Sequence, residues 1–102
     1  MSYRLGIRPA ALADIRETAA WYEQRERGLG ERFTREVVAA VDRLSTNPFS
    51  HRLRHRRLGA RWCFPTSFPY RIVYCIKGQE VVVLAVIHAA RHDREWKERF
   101  RG

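Results

Sequence analysis

The run VVVLAVI at residues 81–87 narrows the folds open to this chain more than any other feature. Five of its seven residues are β-branched, which stiffens the side-chain torsions and favours extended backbone. A half-buried strand alternates apolar with polar residues, whereas an unbroken apolar run has no wet face. It therefore predicts a central strand covered on both sides. Spanning a membrane takes about 20 apolar residues, and no run here approaches that. The rest of the chain must supply neighbouring strands and cover for two faces.

Those parts are legible nearby. YRIVYCI at 70–76 sets Tyr70, Ile72, Tyr74 and Ile76 on one face against Arg71, Val73 and Cys75 on the other. KGQE, with Gly78, supplies a tight turn into the central run. RWCFP at 61–65 reads as a further strand, and YRLGIRP alternates Tyr3, Leu5 and Ile7 against Arg4, Gly6 and Arg8. Pro9 closes that first strand and suits the first turn of a helix. From about Ala10 to Arg27, Leu12, Ile15, Ala19 and Tyr22 recur at helical spacing, with Asp14, Arg16, Glu17 and Glu23 on the wet side. GLG at 28–30 breaks this helix, and a second, reaching about Ser45, buries Phe33, Val37, Ala40, Val41 and Leu44. NPF at 47–49 ends the helical half. HAARHDREWKERF closes the pattern as a short helix or ordered tail. The predicted class is α+β, a βααβββ order in which a helical hairpin packs on a mostly antiparallel sheet. One domain over residues 1–102 accommodates it, since a chain of this length hides roughly two thirds of its unfolded surface.

The charge is unevenly placed. The net value of +9 arises almost wholly after residue 50, where twelve basic residues face four acids. No acid occurs between Asp42 and Glu80. Eighteen of the twenty basic residues are arginine, whose forked guanidinium suits phosphate and carboxylate. Charge of this size implies an anionic partner. Its densest part is HRLRHRRLGAR, which brings Arg52, Arg54, Arg56, Arg57 and Arg61 together with His51 and His55. A solvated connection is the plain reading of such a run; a handle for an acidic peptide or for phosphate is the functional one.

Other chemistry is sparse. Cys63 and Cys75 are too few for a disulfide framework and read as small strand residues. His51/His55 and His88/His92 have a four-residue spacing but no cysteine or carboxylate company, so no metal is expected. There is no Gly-rich phosphate loop, and no cofactor is called for. Trp21 and Tyr22 read as hairpin packing, Trp62 and Trp96 as exposed anchors for a partner. The N-terminus lacks the apolar stretch of a signal peptide, so a cytoplasmic protein without membrane contact is expected.

The order of elements, with FPYRIVYCIKGQEVVVLAVIHAARHDREW at 68–96, resembles the RelE/ParE superfamily of toxins from bacterial type II toxin–antitoxin modules. ALADIRETAAWYEQRERGLGERF is similar to the helical hairpin of that superfamily, and the Asn-Pro after the second helix to its usual punctuation. The resemblance implies a compact toxin neutralised by an antitoxin encoded beside it, which binds through an acidic C-terminal segment in a hetero-oligomer. It also implies one of two targets. RelE-like members are ribosome-dependent endoribonucleases that cut messenger RNA without a metal, whereas ParE-like members cause growth arrest by poisoning DNA gyrase on cleaved DNA.

RNA cleavage needs an acid, a base and cations around the phosphorane. By motif position Arg71 and Arg91 match two arginines of the RelE-like enzymes, and His88 or His92 would supply the acid/base. Trp62, Cys63 and Phe64 stand where those enzymes tend to place paired lysines, and no tyrosine follows Tyr74. The resemblance is therefore closer to ParE-like members, with Arg52, Arg54, Arg56, Arg57, Arg61, Arg71, Arg91 and Trp96 as the surface for antitoxin or target. Ribonuclease activity through Arg71, Arg91, His88 and His92 is the alternative.

Overall fold

The computed structural model describes residues 2–100. Along the chain run β1 (Arg4–Ile7), α1 (Pro9–Arg25), α2 (Leu29–Arg43), β2 (Leu53–His55), β3 (Ala60–Cys63), β4 (Tyr70–Lys77), β5 (Glu80–His88) and α3 (Arg94–Lys97). Single 3₁₀ turns cover Pro48–Ser50 and Glu98–Phe100. The strands form one sheet in the order β1-β5-β4-β3-β2, antiparallel except for the parallel β1–β5 pair. The α+β class and the hairpin-on-sheet arrangement are those read from the sequence. One strand is added: the start of the basic stretch, expected as a connection, pairs with β3 as β2.

β5 is internal to the sheet, and residues 81–87 are all buried. Val81, Val83 and Val86 pack with Ala11, Ile15, Phe33 and Val37 of the hairpin. Ala85 and Ile87 join Ala60, Val73 and Trp96 on the opposite face, where Val82 and Leu84 meet Phe100. The second cover is thus the C-terminal segment. The pairing of β4 with β5 slips once, from Tyr74↔Val83 to Val73↔Ala85. Leu84 is the extra residue of a β-bulge, and so Leu84 and Ala85 both point away from the hairpin.

Helix α1 is rolled by one residue from its expected face. Ala11 and Ile15 are buried, while Leu12 is 37% exposed. The roll brings Asp14, expected on the wet side, onto the sheet. β1 covers β5 only as far as Val83, and beyond that point Asp14 accepts the Val86 amide at 2.8 Å. The same carboxylate takes a forked pair of hydrogen bonds from Arg99, which also donates to the Leu84 carbonyl at 3.1 Å. One carboxylate and one guanidinium therefore finish the strand edge that β1 leaves open. Asp14→Ala would orphan the amide and leave the half-buried Arg99 guanidinium with the Leu84 carbonyl but without its carboxylate. A loss of about 2 kcal/mol is expected in urea unfolding, with Asp14→Asn recovering part of it because the amide keeps an acceptor.

The hairpin turn is held from α1. Gly28 adopts φ 88°, the left-handed region glycine tolerates. The Glu23 carboxylate accepts the Gly28 amide at 2.8 Å and the Gly30 amide at 3.0 Å, which satisfies donors at the start of α2. α2 buries Phe33, Val37, Ala40 and Val41, with Leu44 just beyond it, as its periodicity predicts. At the 3₁₀ turn that follows, the Pro48 carbonyl accepts the buried Tyr74 hydroxyl at 2.6 Å. No described helix is long and apolar enough to cross a membrane.

Candidate interaction surface

The β2–β3 hairpin carries the basic stretch to one edge of the sheet. Arg52, Arg54, Arg56 and Arg57 are exposed. Arg61 instead turns inward: it donates to the His51 carbonyl, and its guanidinium lies 5.0 Å from the Phe49 ring. His51 is held below its ordinary pKa by burial and by the charges of Arg43 and Arg61, so near neutrality it adds no charge to the stretch. Among the described residues no carboxylate pairs with the four exposed arginines. Such a surface can bind anions.

Arg71 projects from β4 to the face away from the helices. It pairs with Asp93 at 2.8 Å and lies 4.6 Å from the Trp62 ring, which Arg54 also approaches at 4.8 Å. The acid that seemed scarce in sequence arrives from 22 residues downstream. Asp93 Oδ1 also accepts the Trp96 indole N–H at 3.3 Å. Partial burial pushes the Asp93 carboxyl up, but the hydrogen bonds from Trp96 and Arg71 and the charge of Arg71 outweigh it and hold the pKa below the ordinary value. A lowered folded-state pKa stabilises the protein fully above the unfolded-state value of about 3.9. That contribution drains as the pH falls through the lower folded-state value. The stability gap between the protein and Asp93→Asn is therefore expected to be open at pH 6 and to close below pH 4 in denaturant titrations.

Trp96, expected as an exposed anchor, is 1% exposed. Its ring meets Trp62 at 5.7 Å, Phe100 at 5.9 Å and His55 at 6.1 Å. It is core, and it fastens the C-terminal segment to the sheet. Trp62 is half-buried against it. Trp21, expected as hairpin packing, is instead 49% exposed beneath Arg25, while Tyr22 packs on Phe33, Phe68 and Tyr70.

The four side chains considered for RNA cleavage are divided. His88 and Arg91 line a cleft of about 410 Å³ at the far end of β5, together with Tyr70 and with Glu17, Thr18 and Trp21 of α1. The His88 ring meets that of Tyr70 at 5.2 Å, and its Nδ1 accepts the Ala90 amide at 3.0 Å. Arg91 pairs with Glu95 at 2.9 Å. His92 is exposed, with Nδ1 accepting the Arg94 amide at 3.2 Å, and does not line the cleft. Arg71 lies on the other face of the sheet. Glu17, Thr18 and Trp21 escaped sequence reading because their join to β5 depends on how the hairpin docks. Burial pushes the Cys63 thiol up to about 11 and raises that of Cys75, so both stay protonated at neutral pH. Among the described residues no group of three His, Cys, Asp or Glu side chains is placed to hold a metal.

The same arrangement occurs in known proteins. The chromosomal ParDE toxin–antitoxin system from P. aeruginosa contains a chain that superposes with a TM-score of 0.75 at 19% identity, over 85% of this chain and 96% of that one. The toxin–antitoxin complex RelBE2 from Mycobacterium tuberculosis contains one that superposes with a TM-score of 0.63 at 24% identity, over 86% of this chain and 99% of that one. At these identities the likeness shows the fold. No curated protein matches in sequence. A family model described as the ParE toxin of the type II toxin–antitoxin system, parDE, matches residues 5–93, from the first strand through the C-terminal turn. The chain belongs to the ParE toxin family of type II toxin–antitoxin systems.

Proposed function

We propose that this toxin, when free of its antitoxin, binds DNA gyrase and holds it on cleaved DNA, doing no bond chemistry of its own. The observation that carries this reading is the division of the candidate cleavage groups. Arg71 is tied to Asp93 on one face of the sheet, while His88 and Arg91 stand at a cleft on the other. General acid, general base and phosphate-binding cations act together only within hydrogen-bond reach of one phosphate. The family match supports the same side. Without antitoxin the exposed Arg52, Arg54 and Arg56 provide electrostatic attraction to a gyrase–DNA complex. The antitoxin, encoded beside the toxin, covers the basic surface with an acidic C-terminal segment in a hetero-oligomer; both solved relatives come from toxin–antitoxin systems. Action on gyrase makes the cytoplasm the place of work, and neither metal nor cofactor is required.

One observation favours ribosome-dependent RNA cleavage: His88 and Arg91 share a cleft, which places an imidazole beside a cation. The deciding experiment is a gyrase reaction with the purified, antitoxin-free protein. Loss of supercoiling with accumulation of linear, cleaved plasmid is expected. Unchanged gyrase together with ribosome-dependent cleavage of messenger RNA would replace this reading by the other. Arg71→Ala combined with Arg91→Ala is expected to lower toxicity by about tenfold or more, with the far-UV circular dichroism unchanged. Full toxicity of the folded double variant would remove both residues from the working surface.

A further inference from the structure

A second cleft, of about 360 Å³, opens between the turn of the β2–β3 hairpin and the C-terminal segment. It lies at the lower end of the ~300–1,000 Å³ typical of ligand pockets. Leu58 and Phe100 line it together with Arg57, Arg94, Lys97 and Glu98. Both apolar side chains rest on the Trp96 cluster, so this wall belongs to a packed layer. The two sides of the cleft are joined beneath it. His55 meets Trp96, and the Leu58 amide donates to His55 Nδ1 at 3.2 Å, which fixes the turn that presents Arg57.

Two of the three charges are unpaired, and the third, Lys97, acts on Asp93 only through space. Among the described residues neither Arg57 nor Arg94 has a carboxylate partner, and Lys97 rests 5.8 Å from the Trp96 ring centroid. An apolar wall edged by three cations demands two properties of one occupant: an apolar side chain to cover Leu58 and Phe100, and anions beside it. A phosphodiester backbone offers only the second. An acidic amphipathic peptide offers both.

We propose that this cleft is the docking site for an acidic amphipathic segment of the antitoxin, whose apolar side chain seats on Leu58 and Phe100 while flanking carboxylates meet Arg57, Arg94 and Lys97. The proposal rests on the toxin–antitoxin reading above and adds the place and chemistry of the contact. Glu98 is the one acid at the cleft and opposes such a segment. Bound antitoxin also neutralises part of the basic hairpin, so inhibition and docking share a surface.

The test uses the full-length toxin with the antitoxin encoded beside it, their affinity measured at low and high salt. Arg57→Ser combined with Arg94→Ser changes two exposed, unpaired side chains and is expected to weaken binding about tenfold or more. Glu98→Gln is expected to tighten it several-fold, with both differences narrowing at high salt. Hydrogen exchange on complex formation is expected to slow at residues 56–58 and 94–100. If the neighbouring protein does not bind the unaltered toxin, the toxin–antitoxin reading falls and takes this proposal with it. If it binds toxin and variants equally, or protects only other segments, the cleft assignment alone is overturned. Variants that keep antitoxin affinity but lose retention on a 20-base-pair duplex would make the cleft a nucleic-acid contact, which also overturns it.

Discussion

Replacing Trp96 by alanine is expected to destabilise the protein by about 3–5 kcal/mol, the range for truncating a buried large aromatic. Trp96 is 1% exposed and packs with Ala60, Val73, Ala85 and Ile87. It also links the C-terminal segment to the sheet, alongside Arg99 and Phe100. α3 has only four residues, too few to hold together without tertiary packing. Losing the indole removes its contacts with Trp62, His55 and Phe100 and its hydrogen bond to Asp93. Arg71 then keeps a partner that is no longer fixed. Trp96→Phe retains most of the apolar contact and is expected to cost less than half as much. Urea unfolding followed by circular dichroism at 222 nm checks both. If the alanine variant kept full stability and lost only a partner, Trp96 would be an anchor and the packing account would fail.

Gly30→Ala is expected to cost about 3 kcal/mol, at or beyond the upper end of ordinary overpacking. Gly30 is buried where α2 starts against α1. A Cβ built on it would stand 2.2 Å from the Ala19 carbonyl oxygen and 3.1 Å from Glu23 Cβ. The first neighbour is helix backbone and cannot swing aside, so the two helices would have to separate. Separation would disturb Tyr22 against Phe33 and break the Glu23 bonds that hold the turn. Gly28→Ala is the control. Its Cβ would meet nothing within 4 Å, but its φ of 88° strains any side chain, at about 1–2 kcal/mol. Thermal unfolding of the pair separates steric overlap from backbone strain. Equal costs would mean that the helices do not approach as closely as the structure has them.

Not every residue on the amphipathic helices was equally legible. In α2 the stripe from Phe33 to Leu44 consists of large apolar residues, and it lies where periodicity predicts. In α1 the face is bordered by alanines at 10, 11, 13, 19 and 20, which are small enough to suit either side. The roll of the helix was therefore open by one residue until Asp14 found Val86 and Arg99. β2 gave only a weak strand signal, because its one apolar residue, Leu53, is 40% exposed and Arg-Leu-Arg-His has no dry face. Its extended form comes from pairing with β3.

The candidate surface divides in the same way. That the basic residues fall late in the chain and imply an anionic partner follows from composition alone. That Arg61 and Arg71 are held and Arg54 rests on Trp62, while Arg52, Arg56 and Arg57 stand exposed, depends on acceptors and rings distant in sequence. The separation of Arg71 from His88 follows from side-chain alternation on paired strands, once Tyr70↔His88 and Arg71↔Ile87 set the register.

The sequence by itself determined the kind and order of the elements other than β2, the burial of residues 81–87 on both faces and the basic character of the C-terminal half. These are local or summed properties: torsional preference, hydrophobic period and charge. Only the tertiary structure decided that Trp96 is core, that Asp93 occupies Arg71, and that Leu58 and Phe100 form one wall with three cations around it. Each of those depends on a contact closed across 22 or more residues, whose partner no local pattern specifies, because the chain's path and the register of its strands choose which distant side chains meet.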